Sequence, residues 1–273
     1  MSSGITHGRE RILVVRAGRG GDLIMITPAL DALLAAEPAA EIHLLTTAEG
    51  RRILSGFSER LTRVFLYTRR FPRRLWRERQ LSGELAGEGY RRIYVFETRP
   101  HYRRWLAGLA PEVHALSDHG EGHFAARCLG LVAASVAAPV ARRPVRLPVD
   151  EAGRQKARDL LTCHGVDPAA TLIGLHPTFS GAGLPWLRDR RGNRHRLWPP
   201  DAFAGLARLL AGQARSSGRP LAIVIDSLPG ETDRARLIAD RSGGAVTVLS
   251  APPDFQRYKG LLSLLDVLVT ANT

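Results

Sequence analysis

The stretch Arg16-Ala-Gly-Arg-Gly-Gly-Asp22 constrains the fold more than any other part of the chain. Residues 12–15 before it are a continuous apolar run of strand length, as expected for a strand covered on both faces. After it, residues 23–36 are apolar at helical spacing, with Thr27-Pro28 expected to kink the helix or restart it. Three glycines let the turn backbone approach a ligand, and the N–H groups at the start of the helix suit an anion. A carboxylate inside such a turn needs a reason. Asp22 is either a general base for a hydroxyl held at the turn or the N-cap residue of the helix. Its neighbours Arg16, Arg19, Gly20 and Gly21 are candidate binding residues.

The same alternation continues along the chain. Further strands are expected at 41–46, 63–67, 91–96 and 112–116, separated by helical or polar segments. This pattern indicates a parallel sheet with helices on both faces. Residues 138–148 carry three prolines and no helical period, so they read as an extended linker closing a first domain, 1–148. Residues 149–273 restart the pattern, beginning with an Asp150-capped helix that stops near Gly165. Strands follow at 171–176, 221–226, 246–250 and 267–270, with a helix opened by Pro200 and a short amphipathic helix at 258–265. The fold class is α/β, two units in tandem. At 273 residues and 44% apolar composition the chain can build two cores.

The formal net charge of +13, mostly from arginine, implies an acidic partner: nucleic acid, an anionic membrane surface or a phosphorylated substrate. Residues 68–79 are the densest basic run and interleave Phe71 and Trp76. They suit stacking or membrane docking, or else form a solvated arginine face with the aromatics packed inward. Arg99, Arg103 and Arg104 follow the fourth strand, on the edge of a parallel sheet where ligands bind. His119 and His123 are four residues apart, but no third ligand is evident and no metal site is expected. His123 is expected instead to open a helix near the substrate. Cys128 and Cys163 have no metal spacing and read as reduced thiols. The longest apolar stretch, 129–141, is too short to span a bilayer, and no signal peptide is visible, so a cytoplasmic, soluble protein is expected.

Two other classes fit poorly. A nicotinamide-dependent dehydrogenase would need a third glycine where Leu23 stands and an acidic residue where the second strand ends in Thr46-Thr47. A nucleic-acid binder rests on charge alone, because the arginines are scattered over both halves without a recognition motif. No nucleic-acid partner is expected.

Residues 12–30 resemble the opening of glycosyltransferase family 9, the bacterial heptosyltransferases of lipopolysaccharide core synthesis, in their strand, Gly-Asp turn and Thr-Pro-Ala-Leu helix. The resemblance extends through His176-Pro177, Arg196-Leu-Trp-Pro199, the Pro-Gly-Glu231 turn and residues 261–273. It implies a GT-B fold of two Rossmann-like domains facing across a cleft, with the acceptor on the first and the donor on the second. It also implies inverting, metal-independent transfer of a heptose-like sugar from a donor such as ADP-heptose to an anionic lipid-linked glycan, with no cofactor. Asp22 falls on the family's proposed base. Arg196 falls on the group that neutralises the leaving diphosphate, Thr178 and Ser180 on hydroxyls near the phosphates, and Glu231 on the acid holding donor hydroxyls. Arg16, Arg19, Gly20, Gly21, Arg99 and His123 are expected to face the acceptor. Asn272 stands where the family has Asp, and with Thr273 would touch the donor; the family's following Gly and His are not found. A second domain incomplete at its C-terminus is therefore expected, and the alternative is a catalytically degenerate sugar-nucleotide or anionic-glycan binding protein. The lipid-linked acceptor and the net charge together imply peripheral contact with the inner face of the cytoplasmic membrane.

Overall fold

The computed structural model describes residues 10–118, 121–136, 139–141, 143–178 and 198–271, and the chain divides into two compact units, Met1–Pro148 and Val149–Thr273. In the first unit β1 (Arg11–Arg16), β2 (Glu41–Thr46), β3 (Leu61–Leu66), β4 (Arg92–Val95) and β5 (Glu112–Ala115) form one sheet in the order β3-β2-β1-β4-β5. Every pairing is parallel. The order reverses between β1 and β4, which opens a crevice at their carboxyl ends. Five of six residues in β1 and in β2 are buried, because helices cover both faces of the sheet. Leu13, Val15, Phe65, Tyr67, Leu81 and Tyr102 belong to the core on one of those faces.

Of the kink or restart expected at Thr27-Pro28, the chain takes the restart, giving two helices, α1 (Gly20–Met25) and α2 (Thr27–Ala36). Pro28 in the first turn of α2 has no N–H to continue the ladder. The Thr27 hydroxyl uses the break, donating to the Ile24 carbonyl (2.7 Å) and accepting the Arg146 N–H (3.0 Å). Arg146 also grips Asp31 through two bonds of 2.9 and 2.8 Å and lies 4.1 Å over the Phe57 ring. The extended stretch before Pro148 is thus strapped to α2 by a fork that matches carboxylate geometry.

Helices α4 (Arg73–Ala86) and α5 (Pro100–Leu106) meet through a buried carboxylate; α3 (Ala48–Leu54) and α6 (Phe124–Ala133) complete the first unit. Glu78 accepts the Tyr67 hydroxyl at 2.5 Å and stands 2.9 Å from His101 Nε2, while the Trp105 indole donates to the Ser82 hydroxyl at 2.9 Å. The two basic groups that lie apart in sequence therefore ride on joined helices. Phe71 and Trp76 do not pack inward: they are 75% and 70% exposed. Leu81 and Leu85, on the opposite side of α4, already fill its core face.

In the second unit β6 (Thr171–His176), β7 (Leu221–Asp226), β8 (Thr247–Leu249) and β9 (Val267–Thr270) pair in parallel in the order β8-β7-β6-β9. Helix α7 (Glu151–Cys163) is capped by Asp150, which accepts the Gly153 N–H at 2.7 Å. Helix α8 (Pro200–Ser217) starts at its proline, and α9 (Thr232–Arg241) follows a short 3-10 turn, Pro229–Glu231. Helix α10 (Phe255–Leu264) starts three residues before the expected 258, because the Asp254 side chain accepts the Gln256 and Arg257 N–H groups. A side chain on Gly260 would run into the Gly153 backbone, so α7 and α10 touch main chain to main chain. Val267 and Leu268 on the outermost strand β9 are nearly half exposed.

His43 on β2 is buried, with Nδ1 2.8 Å from the Tyr90 hydroxyl and 3.8 Å from Glu88. Burial lowers its pKa below the ordinary 6.5, and Glu88 only partly opposes this. An unfolded chain binds this proton near 6.5 while the native protein does not, so stability is full above 6.5 and is lost as pH falls toward the native value. Urea midpoints above and below pH 6.5 should show this drop, and His43→Leu should show a smaller one. Equal drops in both proteins would assign the acid sensitivity to other groups.

Candidate active site

The crevice between β1 and β4 is organised by one guanidinium. Arg16 ends β1 almost fully buried; its Nη1 donates to the Phe96 carbonyl (2.8 Å) and lies 3.2 Å from Glu97 Oε2. Its Nη2 is 3.0 Å from Asp22 Oδ2, and the plane lies 4.5 Å over the Phe124 ring. Glu97, just past β4, accepts the Ala17 N–H at 2.6 Å through its other oxygen. Arg16 therefore bridges a buried carboxylate and one that is 47% exposed. Burial pushes the Glu97 pKa up, while Arg16, the Ala17 N–H and Arg69 hold it down.

Asp22 is not the N-cap residue. Arg19 holds that place in an extended conformation (φ −82°, ψ 173°), because the helix starts at Gly20. Asp22 sits three residues on and reaches back to the Arg19 N–H, again through Oδ2 (3.0 Å). One oxygen, Oδ2, takes both the cap bond and the Arg16 pair. The Gly20 N–H is occupied by Glu49 Oε1 at 3.0 Å. Three of the turn's N–H groups, those of Ala17, Arg19 and Gly20, thus already bind carboxylates of this chain. The turn presents an exposed carboxylate and does not offer the open anion cradle that its glycines suggest.

The remaining acceptor-side candidates surround this point. Arg19 is exposed on the turn, and Gly21 is exposed beside it. Arg99 is exposed at the start of α5, two residues beyond Glu97. His123 precedes α6, next to the Phe124 ring that covers Arg16. It lines a hollow of about 570 Å³ with Pro28, Leu129 and Arg143. Cys128 is buried on the same helix, where burial pushes its thiol up to about 12, which makes it a packing residue and not a nucleophile. Sequence reasoning passed over Glu97 and Glu49. The signal for Glu97 was an acidic residue directly after an apolar strand, on the edge where ligands bind.

In the second unit the carboxyl ends of β6 and β9 meet at His176 and Thr270. Thr178 is buried just beyond β6. Arg234 on α9 donates to the Pro177 carbonyl (2.9 Å) and the Trp198 carbonyl (2.6 Å), tying together the two ends of the span that contains Ser180 and Arg196. Trp198 sets its ring edge-on to Phe203, with centroids 5.3 Å apart. Glu231 ends the 3-10 turn and accepts the Leu228 N–H at 3.4 Å. Asp226 at the end of β7 has its pKa raised by burial, against Arg257 at 3.9 Å. Asp226 and Arg257 were not anticipated. Ser180, Arg196, Asn272, Thr273 and His119 lie outside the described residues. Among the described residues no three His, Cys, Asp or Glu side chains stand close enough to hold a metal ion, and no helix is long and apolar enough to cross a membrane.

A methyl group on Gly18 would sit 2.6 Å from both Arg16 Nε and Asp22 Cβ, whereas one on Gly21 meets nothing within 4 Å. Gly18→Ala should lower stability by about 1–3 kcal/mol, the usual cost of overpacking, and separate Arg16 from Asp22. Gly21→Ala should be close to neutral or stabilising in the same urea titrations. Equal behaviour of the two variants would mean that the turn yields freely.

No protein-family model and no curated protein sequence matches the chain. Solved structures do match. The glycosyl transferase family 9 structure from Veillonella parvula superposes with a TM-score of 0.76 at 14% identity, over 96% of this chain and 74% of that one. E. coli heptosyltransferase WaaC with ADP-2-deoxy-2-fluoro heptose gives 0.68 at 17% identity, over 96% and 83%. E. coli ADP-heptose lps heptosyltransferase II gives 0.64 at 16%, over 96% and 79%. At these identities the likeness is one of fold: the chain has the two-unit, parallel-sheet architecture of these GT-B-like glycosyltransferases.

Proposed function

We propose that this protein is an inverting glycosyltransferase that moves a heptose-like sugar from a nucleoside-diphosphate donor to a hydroxyl of an anionic, lipopolysaccharide-core-like glycan. The observation that carries the reading is the half-exposed Asp22 carboxylate, held by buried Arg16 at the point where the first sheet reverses its strand order. Its support is the fold shared with structures described as heptosyltransferases, one of them with ADP. The first unit takes the acceptor and the second the donor.

In this reading Asp22 removes the proton of the acceptor hydroxyl through Oδ1, the oxygen not engaged by the Arg19 N–H. The acceptor oxygen forms a bond to the anomeric carbon as the bond from that carbon to the diphosphate oxygen breaks, which inverts the centre. Arg16 aims the carboxylate, and Glu97 holds Arg16. Arg19, Arg99 and His123, with the Gly20-Gly21 backbone, contact the acceptor. On the donor side Arg196 is assigned to the departing diphosphate, in place of a cation, with Thr178 and Ser180 at the phosphates. Glu231, Asn272 and Thr273 are assigned to the nucleotide sugar, with ADP-heptose the favoured donor and no cofactor. Peripheral attachment to the inner face of the cytoplasmic membrane follows from a lipid-linked acceptor and a net charge of +13. The second reading is a degenerate binding protein, favoured by Asn272 at a position where the family resemblance calls for Asp.

Calorimetric titration with ADP and ADP-heptose, followed by transfer assays on a Kdo–lipid A type acceptor, separates the two. The enzyme reading expects donor binding and turnover, with Asp22→Asn keeping the binding and losing about 10²–10⁴-fold in kcat. Binding without turnover in the parent protein would select the binding-protein reading. Unchanged turnover in Asp22→Asn would return Asp22 to its place at the helix start.

A further inference from the structure

We propose that the N-terminal end of α4, with the loop before it, is a docking surface for an anionic phospholipid bilayer. The most exposed aromatic side chains among the described residues, Phe71 and Trp76, stand here, with Leu75 51% exposed between them. Arginines surround them. Arg74 and Arg77 are engaged by Glu78 and Glu84. Arg69, Arg70, Arg73 and Arg79 are exposed and have no carboxylate within ion-pair distance among the described residues. The opposite face of α4 is spent on the core through Leu81 and Leu85 and on α5 through Glu78 and Ser82. The outward face therefore has no further use in the fold of this unit.

The chemistry points to a bilayer and away from a flat polar partner. Trp and Phe flanked by unpaired arginines suit the headgroup boundary, where rings enter the apolar edge and guanidinium groups meet phosphates. A single-stranded nucleic acid would satisfy the same charges. It would leave Leu75, an aliphatic side chain with no stacking role, exposed to water. The position on the fold adds a reason. The patch begins three residues after β3 ends, on the carboxyl edge that also carries Asp22. Arg69 is near enough to Glu97 to oppose its protonation. Docking there would bring the Arg16–Asp22 crevice to the membrane surface. The surface itself stands apart from the glycosyltransferase reading and rests on that reading only for what it delivers, a lipid-linked acceptor.

The test is flotation of the full chain with vesicles of phosphatidylcholine alone or mixed equally with phosphatidylglycerol. The parent protein should float with the anionic vesicles only. Phe71→Ser with Trp76→Ser should weaken that binding about tenfold or more, and Arg70→Glu with Arg73→Glu should abolish it. Both pairs are solvent-exposed, and unchanged urea midpoints would verify folding. Equal flotation of the aromatic variant, or salt-sensitive binding to single-stranded RNA with no flotation, would overturn the proposal. A transfer assay distinguishes this proposal from the proposed function: the aromatic variant should keep kcat on a de-acylated acceptor and lose rate on the vesicle-embedded one. Absence of transfer on either acceptor, with flotation intact, would count against the glycosyltransferase reading alone.

Discussion

Arg16 is the constraint on which the first unit's functional edge depends. A buried guanidinium is costly unless it is paired and its donors are satisfied. Here the pairing comes from Glu97 and Asp22 and from the Phe96 carbonyl, with the Phe124 ring covering one face, and Nε alone of the Arg16 side-chain nitrogens is buried without a hydrogen-bond partner among the described residues. Those partners belong to the end of β4, to α1 and to the start of α6, so one side chain sets their mutual positions. The alanine amide at 17 completes Glu97, and Gly18 must lack a side chain for Arg16 and Asp22 to approach. Removing Arg16 would leave a buried carboxylate uncompensated, a larger penalty than the loss of a surface pair such as Arg241–Asp201.

The same device recurs away from the crevice. Glu78 is a buried carboxylate at the junction of β3, α4 and α5, answered by a tyrosine hydroxyl and a histidine. Arg146 binds Asp31 in a fork and lies on Phe57, so the stretch before the second unit is held by a charged group with an aromatic cover. The charged groups taken out of water here, Arg16 and Glu78, are both paired, whereas the Arg146 side chain stays 41% exposed. These contacts explain how a chain with a net charge of +13 places charged groups inside its first unit. The unpaired excess is left on outer faces, most densely at the start of α4.

Much of the architecture was legible because it depends on local pattern. Apolar runs of strand length separated by helical segments give parallel α/β units whatever their details, and proline and glycine mark where helices begin and stop. Pro28 follows that rule, restarting a helix at the expected break, and Asp254 shows its limit, starting a helix three residues before its apolar stripe. The candidate site was legible in part. Asp22 and Arg16 are conspicuous because charged residues flank the glycine-rich turn that follows a buried strand. The partner that gives Arg16 its geometry, Glu97, is 81 residues away in sequence; its place after an apolar strand marks an edge residue, but nothing in the sequence says which side chain it meets.

By itself the sequence determined which segments are strands and helices, where charge accumulates, and that a carboxylate stands in the first glycine-rich turn. Those properties follow from residue type and spacing along one element. Only the tertiary structure decided what that carboxylate does locally: it reaches back from the first turn of α1 and meets a guanidinium shared with Glu97. Only the tertiary structure decided that the turn's N–H groups are partly occupied and that Phe71 and Trp76 face outward. The physical reason is the same throughout. Burial and pairing depend on which elements the sheet order brings side by side, and in a parallel sheet those elements come from distant parts of the chain.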